Sequence, residues 1–156
     1  MSSGIIGLHS LLRWLVLFLI LINIIRVFVE GAEAFESADK RWSFRLLIVT
    51  YLNTLIGVVQ YFIGDKGIHL INEFGIDYAL KYEDLRFWVI IHPFCMIIAT
   101  ILISLSHRIA RRKMIVLKKH HTMLWLWFIA LAFILYAIPW PFRSEEIARP
   151  LFRGIS

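Results

Sequence analysis

A chain of 156 residues has the length of one domain, and 60% of its residues are hydrophobic, with a mean hydropathy of +0.74. The apolar residues form long runs, which excludes an ordinary soluble domain and predicts an integral membrane protein. The net charge of +6 then indicates basic loops against anionic lipid rather than a nucleic-acid partner. Cys95 is the only cysteine, which excludes an intramolecular disulfide and a C-x-x-C metal or haem-attachment motif.

Four apolar runs are long enough to cross the hydrocarbon core as helices of about 20 residues. They are unbroken and do not alternate with polar residues, which argues against β-strands. We therefore expect an all-α fold, an integral membrane four-helix bundle that forms one transmembrane domain over residues 1–156. The expected spans are 7–28, 45–63, 87–107 and 121–140, with an amphipathic outer loop at 64–86 and a C-terminal tail at 141–156.

The basic residues predict the orientation of the bundle. The first and third loops carry ten Lys and Arg residues, against six in the second loop and the tail. The positive-inside rule then makes the first and third loops cytoplasmic and puts both termini outside. The expected location is a bacterial inner membrane, with membrane lipid as a partner and both termini in the periplasm.

Polar residues inside the spans predict where a site lies, because such residues are costly in hydrocarbon. His9 and Arg13 are one turn apart on the first span, and His92 lies in the third span. Those two spans run in the same direction, so both histidines reach a similar depth near the outer end. The second span brings Gln60 to that depth, at the end of a stripe that should face the bundle interior: Thr50, Asn53, Thr54, Gly57 and Gln60.

Two imidazoles at one depth on different helices predict a ligand pair for haem b, which takes one axial ligand from each side. In this hypothesis His9 and His92 bind the iron and Arg13 pairs with a propionate. Gly57 would let the flat ring approach the second helix. Helix packing by hydrogen-bonded histidines, and a site for copper or another metal, are the alternatives.

A second haem site is conceivable at the inner end of the bundle. His107 ends the third span, and His120 and His121 open the fourth. A helix covers about 22 Å between His92 and His107, which suits two stacked haems. Interfacial solvation in a basic hairpin is the alternative explanation of these histidines.

Four segments occur in order along nearly the whole chain: LHSLLRW (8–14), LIGVVQYF (55–62), RFWVIIHP (86–93) and IPWPFR (138–143). Together they resemble a family of small bacterial four-helix membrane proteins, common in Bacteroidetes-like bacteria and often labelled cytochrome b. The resemblance implies haem b and electron transfer, with His9, Arg13 and His92 among the polar positions of the family. The family often has a histidine in its second span where this chain has Tyr51.

The resulting hypothesis is a cytochrome b-like electron-transfer protein that works between a quinol and a periplasmic carrier, or as a subunit of a respiratory complex. The alternative is a cofactor-free accessory subunit of a larger complex, with a groove that binds quinone or lipid. A third, weaker hypothesis is a transporter or channel for a small solute. No residue pairs a nucleophile with a base, so no catalytic residue is predicted.

Overall fold

The computed structural model describes residues 3–29 and 31–149, and every regular element within them is a helix. Four helical segments of this described part are long and apolar enough to cross a membrane, which confirms the predicted all-helical class. The sides of the membrane on which the termini lie stay a prediction. The elements are α1 (Ser3–Val29), α2 (Gly31–Ile63), α3 (Ile68–Phe74), α4 (Ile76–Lys81), α5 (Glu83–Arg86), a π-helical turn (Phe87–Ile91), α6 (His92–Ala110) and α7 (Val116–Ala137).

Several helix boundaries differ from the predicted spans, and the start of α2 and the end of α7 show why. The second span was expected to begin at residue 45, but α2 has 33 residues and is about 50 Å long, well beyond the hydrocarbon thickness. The hydropathy pattern locates only the apolar part of a helix, and here the polar residues before it continue the same helix. The fourth span was expected to end at residue 140, but α7 ends at Ala137. Ile138 is extended (φ −69°, ψ 130°), because a residue that precedes a proline is disfavoured in the helical region.

The four long segments form a ring in the order α1, α2, α6, α7, and α7 packs back against α1. Consecutive helices are antiparallel, so α1 begins and α7 ends at the same end of the bundle, here called the terminal end. The opposite end is the hairpin end. The centre is apolar and closely packed, and its fully buried side chains include Ile20, Leu46, Ile103, Met123 and Trp127.

The contact between α2 and α6 contains hydrogen bonds between side chains at three levels. Thr54 Oγ1 lies 2.8 Å from Thr100 Oγ1, and the Tyr51 hydroxyl lies 2.9 Å from Ser104 Oγ. At the hairpin end, Ser43 Oγ lies 3.0 Å from His107 Nδ1. Such bonds between helices stabilise association in lipid, where apolar side chains gain nothing by leaving the solvent. They fix how α2 and α6 face each other, and hence the geometry of the space between these helices nearer the terminal end.

The outer loop folds into three short helices rather than one. Gly67 and Gly75 have φ angles of 65° and 81°, which side chains with a Cβ rarely adopt, and they separate these helices from their neighbours. A Cβ on Gly67 would also lie 2.6 Å from atoms of Tyr61. The loop has a small core of its own with Val89 of the π-helical turn, formed by Leu70, Ala79 and Leu85.

We expect Ser106→Ala to lower the free energy of unfolding by about 1–3 kcal/mol, because it leaves a buried donor without an acceptor. Trp127, 1% exposed, donates its indole N–H to Ser106 Oγ at 2.9 Å. Unfolding of the detergent-purified protein, followed by circular dichroism, measures the change. Ser144→Ala, at an exposed position, is the matched control and should be neutral. Equal stability of both variants would contradict the role of this bond.

Candidate cofactor site

His9 and His92 meet inside the bundle, near its terminal end. They come from α1 and α6, which lie diagonally opposite in the ring of helices. Their ring centroids are 6.4 Å apart and their planes are inclined at 69°. The structure therefore brings together the two histidines that the sequence placed at one depth.

The position of His92 depends on the proline that follows it. Pro93 has no N–H to donate to the carbonyl of Val89, and a proline ring in a regular helix clashes with the carbonyl four residues earlier. The chain widens into the π-helical turn just before this point, and π-turns often occur at functional sites. The Val89 carbonyl accepts a hydrogen bond from the Tyr61 hydroxyl of α2 instead, at 3.2 Å. The π-helical turn before α6 is thus hydrogen-bonded to α2 at the level of the histidines.

A hydrogen bond fixes the orientation of the His92 ring. Its Nδ1 lies 2.8 Å from the carbonyl oxygen of Ala137, the last residue of α7. That carbonyl has no partner within its helix, because Pro141 lacks an N–H four residues later. A carbonyl can only accept, so Nδ1 carries the hydrogen, and the neutral ring keeps its lone pair on Nε2. Metal-binding histidines are commonly oriented in this way.

His9 lies against Gly57 of α2. A Cβ on Gly57 would be 3.2 Å from Cε1 of His9, closer than ordinary van der Waals contact. In the structure the His9 imidazole packs on this glycine. The expectation that Gly57 makes room for a flat cofactor stays a prediction. His9 Nδ1 is enclosed and has no hydrogen-bond partner among the described residues.

Arg13 and Gln60 border the same region. Arg13 Nη2 donates a hydrogen bond to Ser10 Oγ at 3.1 Å, and its guanidinium lies 5.4 Å from the centre of the Trp14 ring. Gln60 Nε2 donates to the Ile5 carbonyl at 3.2 Å and so joins α2 to the start of α1. The five residues predicted for the first haem site all line one cavity: His9, Arg13, Gly57, Gln60 and His92.

This cavity has a volume of about 610 Å³, within the range of ligand pockets in proteins. Its wall comes from α1, α2, the π-helical turn and α6, and it includes side chains on the outer surface of α2 and α6: Val58, Phe62, Phe94 and Ile97. The cavity is therefore a groove between α2 and α6 that leads from the outer surface of the bundle to the two histidines. A smaller cavity of about 30 Å³ lies beside the histidines and is bordered by the polar side chains of Thr50, Asn53, Thr54 and Thr100.

The three histidines of the hairpin end differ in their surroundings, and the second haem site stays a prediction. His107 is bonded to Ser43, His120 is buried and His121 is exposed. No group of three or more His, Cys, Asp or Glu residues that could hold a metal occurs in the part of the chain that the structure describes. Tyr51, which stands where the resembling family often has histidine, is bonded to Ser104 and lies outside the cavity wall. The His9–His92 pair is thus formed without a side chain from position 51.

Four residues of this region were missed by the sequence reasoning: Tyr61, Lys66, Trp88 and Arg149 all line the cavity. The sequence could have indicated Trp88, because it precedes His92 by about one helical turn. In the structure their ring centroids are 5.8 Å apart. The sequence could not have indicated Arg149, because this residue reaches the groove only through the return of the tail across the terminal end.

Comparison with protein-family models, with curated proteins and with solved structures finds no match to this chain. The class is defined by the fold and the site alone. It is a bundle of four helices suited to span a membrane, with a groove that ends at two facing histidines.

We expect Gly57→Ala to displace the His9 ring and to cost about 1–3 kcal/mol of stability, the usual cost of overpacking. Gly4→Ala is the matched control, because a Cβ there meets no atom within 4 Å in the described structure. At Gly4 the change should be neutral or slightly stabilising, since alanine favours helix over glycine. Thermal unfolding in detergent compares the two variants. A Gly57→Ala protein as stable as the Gly4→Ala protein would show that His9 does not pack tightly on α2.

Proposed function

We propose that this protein holds haem b in the groove between α2 and α6, with His9 and His92 as axial ligands, and that it transfers electrons. The observation that supports this most directly is the pair of imidazoles, 6.4 Å apart between ring centroids, at the end of a cavity of about 610 Å³. Two imidazoles from different helices that approach each other inside a bundle would be able to hold the iron of a haem between them.

The composition of the donor set favours haem over a bare metal ion. Zinc sites use three or four protein ligands, and other divalent metals generally need several nitrogen, oxygen or sulfur donors. Here the described residues offer two imidazoles with no third His, Cys, Asp or Glu to complete a cluster. Haem brings four nitrogen ligands of its own and needs only two from the protein.

The surrounding residues suit the two histidines to this role. The Ala137 carbonyl holds His92 through Nδ1 and leaves Nε2 as its acceptor atom. His9 Nδ1 is buried and has no hydrogen-bond partner in the described structure. Leaving a buried polar atom unpaired lowers stability by about 1–3 kcal/mol, which a bond to a ligand would recover. Arg13 lies within the same wall, where its guanidinium can neutralise a carboxylate of the bound group.

Haem, when bound, supplies a one-electron couple, and the protein contributes position and surroundings. The histidines lie near one end of the bundle rather than at its middle, so a soluble or quinol partner at that end could approach closely. If the termini are periplasmic, as the basic loops predict, the exchange would be with a quinol and a periplasmic carrier, alone or within a respiratory complex.

A second candidate function is a cofactor-free accessory subunit that binds quinone or lipid in the same groove. The specific observation in its favour is the outward-facing part of the wall. Val58, Phe62, Phe94 and Ile97 are between 44% and 62% exposed, so the groove is open toward the space that lipid would fill. In this case the histidines hydrogen-bond to the ligand or to neighbouring helices.

We expect the purified protein to show a Soret band and an α-band that sharpens on reduction with dithionite, with one haem per chain. His9→Ala and His92→Ala should each abolish this spectrum. His69→Ala, at an exposed position, is the matched control and should keep it. A colourless wild type from cells supplied with ample haem would reject haem binding and leave the accessory subunit as the proposal.

We expect both termini to be periplasmic. Cysteine introduced at Ser144, exposed at the terminal end, should react in intact spheroplasts with a maleimide that cannot cross the membrane. Cysteine introduced at Lys113, exposed in the turn between α6 and α7, should react only after lysis. The native Cys95 is 5% exposed and should contribute little background. The opposite labelling pattern would reverse the topology.

A further inference from the structure

Three polar groups gather where the groove reaches the terminal end, at a place here called the mouth: the indole of Trp88, the ammonium of Lys66 and the guanidinium of Arg149. Lys66 Nζ lies 5.8 Å, and Arg149 Cζ 5.1 Å, from the centre of the Trp88 ring. All three side chains line the cavity. Two cations over one aromatic ring place a concentration of positive charge beside the site.

The mouth also contains an unsatisfied donor. Trp88 Nε1 is enclosed and has no hydrogen-bond partner among the described residues. Buried indole N–H groups usually find an acceptor, because a buried donor without one is costly. A negatively charged oxygen is the acceptor that the two cations beside this ring favour.

The fold holds Arg149 at this place. Its backbone N–H donates to the Pro139 carbonyl at 3.1 Å, which folds the tail back over the end of α7. Ile147 is 2% exposed and anchors the same stretch in the protein interior. The tail therefore contributes a cation to a groove whose first histidine, His9, lies near the other end of the sequence.

The charge of the cavity wall indicates an acidic ligand. Within the described residues its basic side chains are Arg13, Lys66 and Arg149, and its acidic side chain is Asp65, which is exposed. The rest of the wall is mostly apolar, and it opens between α2 and α6 on the surface suited to lipid. A ligand that matches this wall has an apolar body and at least one acidic group.

We propose that the mouth binds the acidic group of an amphiphile whose apolar body lies in the groove. The group recognised is a carboxylate or a phosphate, and its two sources are the propionates of haem and the headgroup of an anionic lipid. For haem the inference rests on the proposed function, whereas for lipid it stands without it. The ligand enters from the bilayer, between α2 and α6, rather than through the bundle ends.

The test uses the full-length protein purified in detergent as wild type and as three double variants. Lys66→Gln with Arg149→Gln removes the mouth cations. Lys81→Gln with Arg41→Gln is the control, because it removes the same charge at exposed positions outside the cavity wall. Lys66→Arg with Arg149→Lys keeps both charges and tests rescue, which separates a loss of charge from a damaged tail.

Each protein is titrated with hemin, followed by the Soret band, and separately with phosphatidylglycerol and phosphatidylcholine, followed by native mass spectrometry. We expect the variant without mouth cations to bind hemin, phosphatidylglycerol or both with an affinity at least about tenfold lower than that of the wild type. The reason is the loss of charge-assisted hydrogen bonds to the acidic group. The control should remain within about twofold of wild type, since exposed charges contribute little. The rescue variant should bind nearly as the wild type does.

The pattern of losses identifies the source. Weakened hemin binding assigns the mouth to the propionates, and a lost preference for phosphatidylglycerol over phosphatidylcholine assigns it to a lipid phosphate. A wild type that binds no hemin but prefers phosphatidylglycerol would reject haem and keep the anion site. If hemin binds equally well to all variants and no protein distinguishes the two lipids, the anion site is rejected and the haem proposal stands.

Discussion

The hydrogen bond from His92 to the Ala137 carbonyl is the contact on which the geometry of the groove depends. It joins the beginning of α6 to the end of α7 over 2.8 Å, and it satisfies a carbonyl that the prolines after α7 leave without a donor. In hydrocarbon no water can take the place of either group, so both are costly to leave unpaired. The same bond fixes the orientation of the His92 ring, whose centroid lies 6.4 Å from that of His9.

Departures from regular helix, rather than the helices themselves, create the space at this end of the bundle. Pro93 frees the carbonyl of Val89, the π-helical turn widens the chain before it, and Tyr61 binds the freed carbonyl from α2. Below this level the hydroxyl contacts of Thr54 and Thr100 draw α2 and α6 together. Thr54, Tyr61 and Val89 all belong to the wall of the groove, so both contacts between the helices border the space that leads to the histidines.

The site also combines parts of the chain that are far apart in sequence. His9 lies near the start of α1, Gly57 in α2, His92 in α6 and Arg149 in the tail. Its positive charge is contributed at both ends, by Arg13 beside the histidines and by Lys66 and Arg149 at the mouth. The excess of basic over acidic side chains in this mostly apolar wall favours an acidic amphiphile over a neutral one, and haem and anionic lipids both belong to that class.

The sequence by itself determined the four long helices, because the length of an apolar run and the cost of unpaired backbone in lipid allow few other structures. It also brought His9 and His92 to one depth, since antiparallel order and a constant rise per residue fix depth along each helix. Depth says nothing about the rotation of a helix or about which neighbour a side chain meets. Tertiary structure alone decided that Gly57 contacts His9, that Tyr61 binds the Val89 carbonyl, and that the tail brings Arg149 to Trp88. These contacts join residues distant in sequence, and only the packing of helices and tail against one another specifies them.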